Sequence, residues 1–240
     1  MNNNRIVTII CALFIITGLV YSQESTKIES SQIIKDVINS KILKKAMNIN
    51  IYLPSGYNKD TKYPVLYMLH GFGSNENLWI DFGLTRKADE LINNKKIIPM
   101  IIVMPNIDNS WGINSSKNYS TRNNIYYGMY EDYFFEEIIP YIDVSYSTDM
   151  SKKGRFIGGG SMGGFVSLYY AFKNPDLFSR VGGHSAALYP DDVAMPREGL
   201  PGKYFIFLTE DLKKQRDPLL LAREKDLTHL EVYLDCGTED

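Results

Sequence analysis

Short, uninterrupted apolar runs constrain this chain more than any other feature. "VLYML" at 65–69 and "IIVMP" at 101–105 are apolar at nearly every position, and "GRFIGG" at 154–159 leads into a series of glycines. A strand that is apolar on both sides needs cover on both sides, as the central strands of a parallel sheet do. These runs therefore predict the middle of a mainly parallel sheet.

Segments with helical spacing separate the apolar runs. Leu84, Ala88 and Leu91 share one face of "LTRKADELINN", and similar stripes occur in "YEDYFFEEIIPYID" and "GFVSLYYAFKNPD". Pro140 is expected to kink the second of these helices or to end its regular part. Strands that alternate with helices predict the α/β class, with helices on both faces of the sheet.

The remaining elements extend this order toward both ends. Ile49, Ile51 and Leu53 alternate with asparagines, which predicts that the first two strands pair antiparallel at one edge of the sheet. Further strands are predicted at 204–209 and 230–235, with a helix at 217–226 between them. Neither a repeat nor a low-complexity linker interrupts this order, so residues 23–240 are assigned to a single domain.

The first 22 residues are interpreted as a secretory signal peptide. Arg5 precedes an apolar run at 6–20, and Ser22 offers a small residue for cleavage near Gln23. The run is shorter than the ~20 residues that a membrane helix needs, although an uncleaved anchor is the alternative. A secreted or periplasmic protein without a membrane span follows from this interpretation.

Charge and cysteine content argue against a nucleic-acid-binding or membrane-surface protein and against a disulfide-stabilised domain. A net charge of −2 gives no indication of a nucleic-acid partner or of an anionic membrane surface. Of the two cysteines, Cys11 lies inside the leader, so only Cys236 remains in the domain and an internal disulfide cannot form. The stability of the domain must therefore come from its core.

A glycine-rich turn presents one serine between a predicted strand and a predicted helix. Ser161 lies in Gly159-Gly160-Ser161-Met162-Gly163, which matches G-x-S-x-G in the strand–turn–helix context that gives the pattern its meaning. Such a turn holds the serine in a strained conformation as a nucleophile, and the backbone N–H of Met162 is the first candidate oxyanion donor. A passive glycine-rich turn is the alternative.

A second turn follows the first central strand. His70-Gly71-Phe72-Gly73 lies where the other oxyanion donor is expected, and the backbone N–H of Phe72 is the candidate. His70 is expected to support this loop, although it is also a conceivable base. A hairpin-like turn without a catalytic role is the alternative.

Taken together, these segments resemble the putative-esterase family of α/β-hydrolases. That family includes S-formylglutathione hydrolases, feruloyl and acetylxylan esterases, and mycolyltransferases of the antigen 85 type. The resemblance implies a Ser–Asp–His triad with neither a metal nor an organic cofactor. It places the acid in "DCGTED", at Asp240, with Glu239 and Asp235 as neighbouring alternatives.

The histidine of the triad does not follow from this sequence. α/β-Hydrolases place nucleophile, acid and histidine in that order along the chain, whereas His70, His184 and His229 all precede Asp240. His184 is expected to line the pocket, and His229 to lie at the far end of a strand. The base is therefore expected beyond Asp240, with the last strand and helix of the fold missing and the domain incomplete at its C-terminus.

The substrate is indicated only in outline. Trp111 follows a strand at the catalytic edge, where its ring could stack on a sugar or a phenolic acyl group, or cover a gap in the core. Secretion favours an ester outside the cytoplasm, such as an acyl or feruloyl group on a carbohydrate. An acyltransferase of the mycolyltransferase type and a non-catalytic binding domain on the same fold are the alternatives.

Overall fold

A computed structural model describes residues 30–189 and 205–237. Its main sheet has seven strands in the order β1-β2-β4-β3-β7-β8-β9, and β5 and β6 form a separate hairpin. The strands are β1 Gln32–Ser40, β2 Lys45–Leu53, β3 Val65–Leu69, β4 Ile101–Pro105, β5 Ser120–Arg122, β6 Ile125–Tyr127, β7 Arg155–Gly160, β8 Arg180–His184 and β9 Glu231–Asp235. The signal-peptide interpretation falls on residues outside this described part.

Strand direction follows the sequence pattern. β1 pairs antiparallel with β2, and β2 antiparallel with β4. The pairs β3–β4, β3–β7, β7–β8 and β8–β9 are all parallel. Every residue of β4 and β7 is buried, as the uninterrupted apolar runs require. The predicted α/β fold, with a mainly parallel sheet and an antiparallel amino-terminal edge, is confirmed.

Helices cover both faces of the sheet. The described helices are α1 Leu78–Asp81, α2 Leu84–Asn93, α3 Tyr130–Asp132, α4 Ile139–Ser145, α5 Met162–Lys173, α6 Glu210–Arg216 and α7 Pro218–Glu224. The sheet packs on one face against α5, whose residues are all buried except the last. On the other face, Ala88 of α2 joins a smaller cluster with Tyr52, Ile102 and Met104.

One local feature differs from the sequence expectations, and a second agrees with them. Residues 204–209 were expected to form a strand, but Phe205 and Ile206 are helical. The ring of Phe205 packs edge-on against Tyr127, so this apolar segment covers the hairpin rather than joining the sheet. Between α3 and α4 the chain is π-helical over Tyr133–Ile138, just before Pro140, which agrees with the expected local disruption.

One buried ion pair lies on the strand that leads to Ser161. A nitrogen of the Arg155 guanidinium lies 2.8 Å from the Asp143 carboxylate, and each side chain is 7% exposed. The other oxygen of Asp143 accepts a hydrogen bond from the Thr148 hydroxyl at 2.8 Å. The pair therefore anchors α4 to β7.

Among the residues described, no helix is both long and apolar enough to cross a membrane.

Candidate active site

Ser161 occupies the turn between β7 and α5 in a strained backbone conformation. Its φ is 52° and its ψ is −115°, a region that residues with a Cβ rarely adopt. Its N–H donates to the carbonyl of His184 at 2.9 Å, and its carbonyl accepts from Phe165 and Ala187 at 3.0 Å each. These bonds hold the backbone in place while the serine remains exposed.

Two glycines allow the turn to pack directly on the loop after β3. A Cβ at Gly159 would lie 2.7 Å from the Leu69 carbonyl oxygen, and one at Gly163 would lie 2.7 Å from the His70 oxygen. Both distances are shorter than real carbon contacts. Since the obstructing atoms belong to the backbone, only glycine fits at either position.

The loop after β3 brings a second backbone donor toward the serine. A Cβ added to Gly71 would lie 3.6 Å from the Cβ of Ser161, so the two turns are in contact. Within the described ranges, neither the N–H of Phe72 nor that of Met162 donates a hydrogen bond. One of these free donors is next to Ser161 in the chain and the other is next to Gly71 on the contacting loop, so both are candidates for stabilising an oxyanion.

Hydrogen bonds from three directions fix this loop. Gly73 N–H donates to Oδ1 of Asn109 at 2.6 Å, and Ser74 N–H donates to the Gly71 carbonyl at 3.2 Å. The indole N–H of Trp79 donates to the Leu69 carbonyl at 3.0 Å. Asn109 could not be predicted from the sequence, because its contact spans 36 residues and no local pattern marks it.

His70 is held as a neutral ring with one defined tautomer. Its Nε2 accepts from the N–H of Ile107 at 3.0 Å, and its Nδ1 lies 2.9 Å from the Gly71 carbonyl. A backbone N–H can only donate and a carbonyl can only accept, so the proton is on Nδ1. Burial lowers the pKa of this ring. Because both nitrogens are engaged, His70 supports the loop and is not a base for Ser161.

The other two histidines do not contact the serine hydroxyl. Nδ1 of His184 pairs with Oδ2 of Asp235 at 2.7 Å across neighbouring strands, and its ring lines the open face of the sheet together with Trp79. His229 is exposed at the amino end of β9, whereas Ser161 follows the carboxyl end of β7. Among the described residues, no imidazole hydrogen-bonds to Ser161.

The proposed acid lies outside the described residues. Asp240 and its alternative Glu239 follow Gly237, where the described part ends. Asp235 is described, and its carboxylate is engaged by His184. Over the described ranges there is no cluster of three or more histidine, cysteine or acidic side chains that could hold a metal ion.

The side chain of Trp111 is buried among other aromatic rings. It is 4% exposed, and its ring lies 5.7 Å from Phe165, 6.0 Å from Tyr189 and 6.3 Å from Phe72, measured between centroids. This packing fits the expectation that the ring covers a gap beside the site better than direct stacking on a substrate. The indole nitrogen is buried without a hydrogen-bond partner.

Comparison with known proteins shows the family and agrees with the fold. A family model described as "Putative esterase" matches residues 40–240, which include both turns and every strand from β2 onward. The chain belongs to this esterase family. Family membership agrees with the observed α/β fold.

The curated relatives of this esterase-family chain include proteins with esterase activities in their names. An "Endo-1,4-beta-xylanase/feruloyl esterase" of Xylanibacter ruminicola is 32% identical over 160 residues, which are 64% of this chain and 21% of that protein. An "Esterase" of Mycobacterium tuberculosis is 32% identical over 57% of this chain and 28% of its own length. The chain thus spans less than a third of these curated relatives.

Solved structures share the fold over most of the described chain. A "ferulic acid esterase" superposes with a TM-score of 0.71 at 27% identity, covering 87% of this chain and 80% of that one. An S-formylglutathione hydrolase from Agrobacterium tumefaciens superposes with a TM-score of 0.67 at 19% identity, over 90% and 79% of the two chains. At that lower identity the likeness concerns the fold alone.

Proposed function

We propose that this protein is a serine carboxylic-ester hydrolase that forms an acyl-enzyme on Ser161. The observation that carries the proposal is the strained turn at Ser161, with φ of 52°, flanked by the free N–H groups of Phe72 and Met162. A passive turn has no need of a strained serine, or of two unpaired donors beside it. Strain of this kind is typically retained where function requires it.

The proposed reaction has two steps. The Oγ of Ser161 attacks the carbonyl carbon of the ester, and the Phe72 and Met162 N–H groups stabilise the negative charge on the carbonyl oxygen. The tetrahedral intermediate expels the alcohol, which takes up a proton. Water then attacks the acyl-serine bond and releases the carboxylic acid and the free Ser161 hydroxyl.

Proton transfer in this scheme follows the family pattern. A histidine takes the proton of the serine and passes it to the leaving alcohol, while Asp240 orients the ring and stabilises its charge. None of the three histidines in this sequence fills that role in the described structure. His70 is locked in the loop, His184 is paired with Asp235, and His229 lies at the opposite edge.

The substrate class is proposed as acyl or feruloyl esters of carbohydrates. The printed names of two relatives, a xylanase/feruloyl esterase and a ferulic acid esterase, support this class. The apolar leader at the amino terminus supports a secreted or periplasmic location, where such polymers occur. No cofactor enters the proposed mechanism.

The test is ester hydrolysis that depends on Ser161. Initial rates with p-nitrophenyl acetate and methyl ferulate are measured for the wild type and for Ser161→Ala, with added imidazole as a soluble base at several concentrations. The wild type is expected to exceed Ser161→Ala, and the difference is expected to grow with imidazole. Ser151→Ala is the matched control, because this exposed serine precedes β7 at the opposite edge. Equal rates for wild type and Ser161→Ala would refute the proposal.

A further inference from the structure

A polar pocket adjoins the loop that carries the Phe72 donor. It has a volume of about 270 Å³ and lies between that loop, the chain after β4, and the β5–β6 hairpin. Its lining residues are Gly73, Ser74, Asn106, Asp108, Asn109, Asn124 and Tyr126. The volume corresponds to about nine waters at about 30 Å³ each, which leaves room for one sugar ring.

The loop with the Phe72 donor forms one wall of this pocket. Gly73 and Ser74 line it, and Gly71, two residues before Gly73, packs against Ser161. If the carbonyl oxygen of an ester lies at the Phe72 N–H, either its acyl or its alcohol part can therefore reach into the pocket. Asn109 ties the pocket to the loop through its 2.6 Å bond to the Gly73 N–H.

Charges within the pocket are balanced. The Asp108 carboxylate lies 2.9 Å from the Lys45 ammonium and accepts a second hydrogen bond from the Tyr130 hydroxyl at 2.5 Å. The other side chains of the lining are neutral amides and hydroxyls. A neutral ligand is therefore favoured over an anion or a cation, because neither charge would find an unpaired partner.

Several polar groups of the pocket are open to a ligand. Within the described residues, the Ser74 hydroxyl, the Asn124 side-chain amide and the Tyr126 hydroxyl make no hydrogen bond to protein. They supply donors and acceptors together, which is what a polyhydroxyl ligand requires. The ring of Tyr126, which lines the pocket, lies 5.4 Å from the Lys45 ammonium, and this contact helps to hold the ring in place.

The β5–β6 hairpin holds Asn124 in a defined position. Asn123 and Asn124 form its two-residue turn with φ of 51° and 59°, the conformation that asparagine and glycine tolerate best. The carbonyl of Asn124 accepts from Nδ2 of Asn109 at 3.0 Å. The turn is thus fastened to the pocket wall through its backbone, and the side chain of Asn124 remains available.

We propose that this pocket binds the sugar on the alcohol side of the ester, with Asn124 and Tyr126 as specificity-determining residues. The proposal rests on the proposed esterase function. It deepens that function by separating an acyl side at Ser161 from a carbohydrate side at the hairpin. The neutral, hydroxyl-rich character of a sugar ring matches the balanced charge and the free polar groups.

Binding to the inactive variant Ser161→Ala tests the proposal. Dissociation constants are measured by calorimetry for methyl 5-O-feruloyl-arabinofuranoside and for methyl ferulate, which lacks the sugar. The sugar ester is expected to bind several-fold more tightly. Adding Asn124→Gly is expected to weaken binding of the sugar ester by about threefold to tenfold, as loss of a hydrogen bond would. Tyr126→Phe should weaken it in the same direction.

Asn123→Gly is the matched control, because it alters the same turn at a side chain outside the pocket. Its dissociation constants should equal those of the parent. If both esters bind equally, or if Asn124→Gly and Tyr126→Phe leave the advantage intact, the sugar pocket is refuted while the esterase proposal stands. If neither ester binds, the proposed substrate class fails and the sugar pocket fails with it.

Discussion

The contact between the serine turn and the loop after β3 predicts an unusual response at Gly163. Gly163 lies in the first turn of α5, where replacing glycine with alanine ordinarily stabilises a helix by about 0.5–1 kcal/mol. In this protein the added Cβ would lie 2.6 Å from the Leu69 carbonyl carbon and 2.7 Å from the His70 oxygen. Both obstacles are backbone atoms, so no side chain can rotate away to make room.

Gly163→Ala should therefore destabilise the protein. Overpacking of this kind costs about 1–3 kcal/mol or somewhat more, and the upper half of that range is expected because two turns must separate. A loss of about 2 kcal/mol lowers Tm by about 4–8 °C in a domain of this size. Thermal unfolding followed by circular dichroism gives the Tm directly.

Gly182→Ala is the control for Gly163→Ala. A Cβ at Gly182 would meet nothing within 4 Å, so this variant should gain about 0.5–1 kcal/mol from reduced chain entropy and raise Tm slightly. The prediction is that the two substitutions change Tm in opposite directions. A Gly163→Ala protein as stable as the wild type would show that the two turns are not packed together.

Two further predictions concern stability. Asp143→Ala leaves the buried Arg155 without its partner and should lower the free energy of unfolding by about 3–5 kcal/mol in urea titrations, whereas an Asp143→Ala/Arg155→Met double variant should lose less. Burial lowers the pKa of His70 below 6.5, so the unfolded chain binds more protons in acid. The contribution of His70 to stability should be constant above about pH 6.5 and be lost as pH falls through the folded-state pKa, and His70→Asn, unlike His229→Gln, should remove that part of the pH dependence.

Much of the fold could be predicted because its central elements have strong local patterns. The apolar runs of β3 and β4 predicted buried parallel strands, and the G-x-S-x-G pattern predicted the turn at Ser161. The order of strands in the sheet could not be predicted, since hydrophobic periodicity identifies a strand but not its neighbours. For the same reason the apolar segment at 204–209 was wrongly predicted as a strand, although Phe205 packs against Tyr127 instead.

The β5–β6 hairpin was missed because its strands are only three residues long. Alternation cannot be recognised over so short a span, and the paired asparagines at 123 and 124 were its only local signal. The polar pocket at the loop after β3 depends on this hairpin, which contributes Asn124 and Tyr126 to its lining. The sequence therefore predicted the strained turn at Ser161 but not the hairpin and its pocket.

The supporting role of His70 was expected from its place in the loop, but the structure supplies the reason. Its bond to the Ile107 N–H joins residues 37 positions apart, a contact that no local motif encodes. That contact also decides between a supporting ring and a base. The role of Asp240 stays a prediction, because the residue lies outside the described part.

Covalent labelling of the proposed nucleophile, Ser161, tests the central claim most directly. The protein is incubated with a fluorophosphonate and digested with trypsin, and the peptide 156–173 is analysed by mass spectrometry. This peptide contains two serines, of which Ser167 is buried and donates its hydroxyl to the Gly163 carbonyl at 2.7 Å. We predict an adduct on Ser161 that is absent from Ser161→Ala. An adduct on another residue, or labelling that persists in Ser161→Ala, would contradict the account.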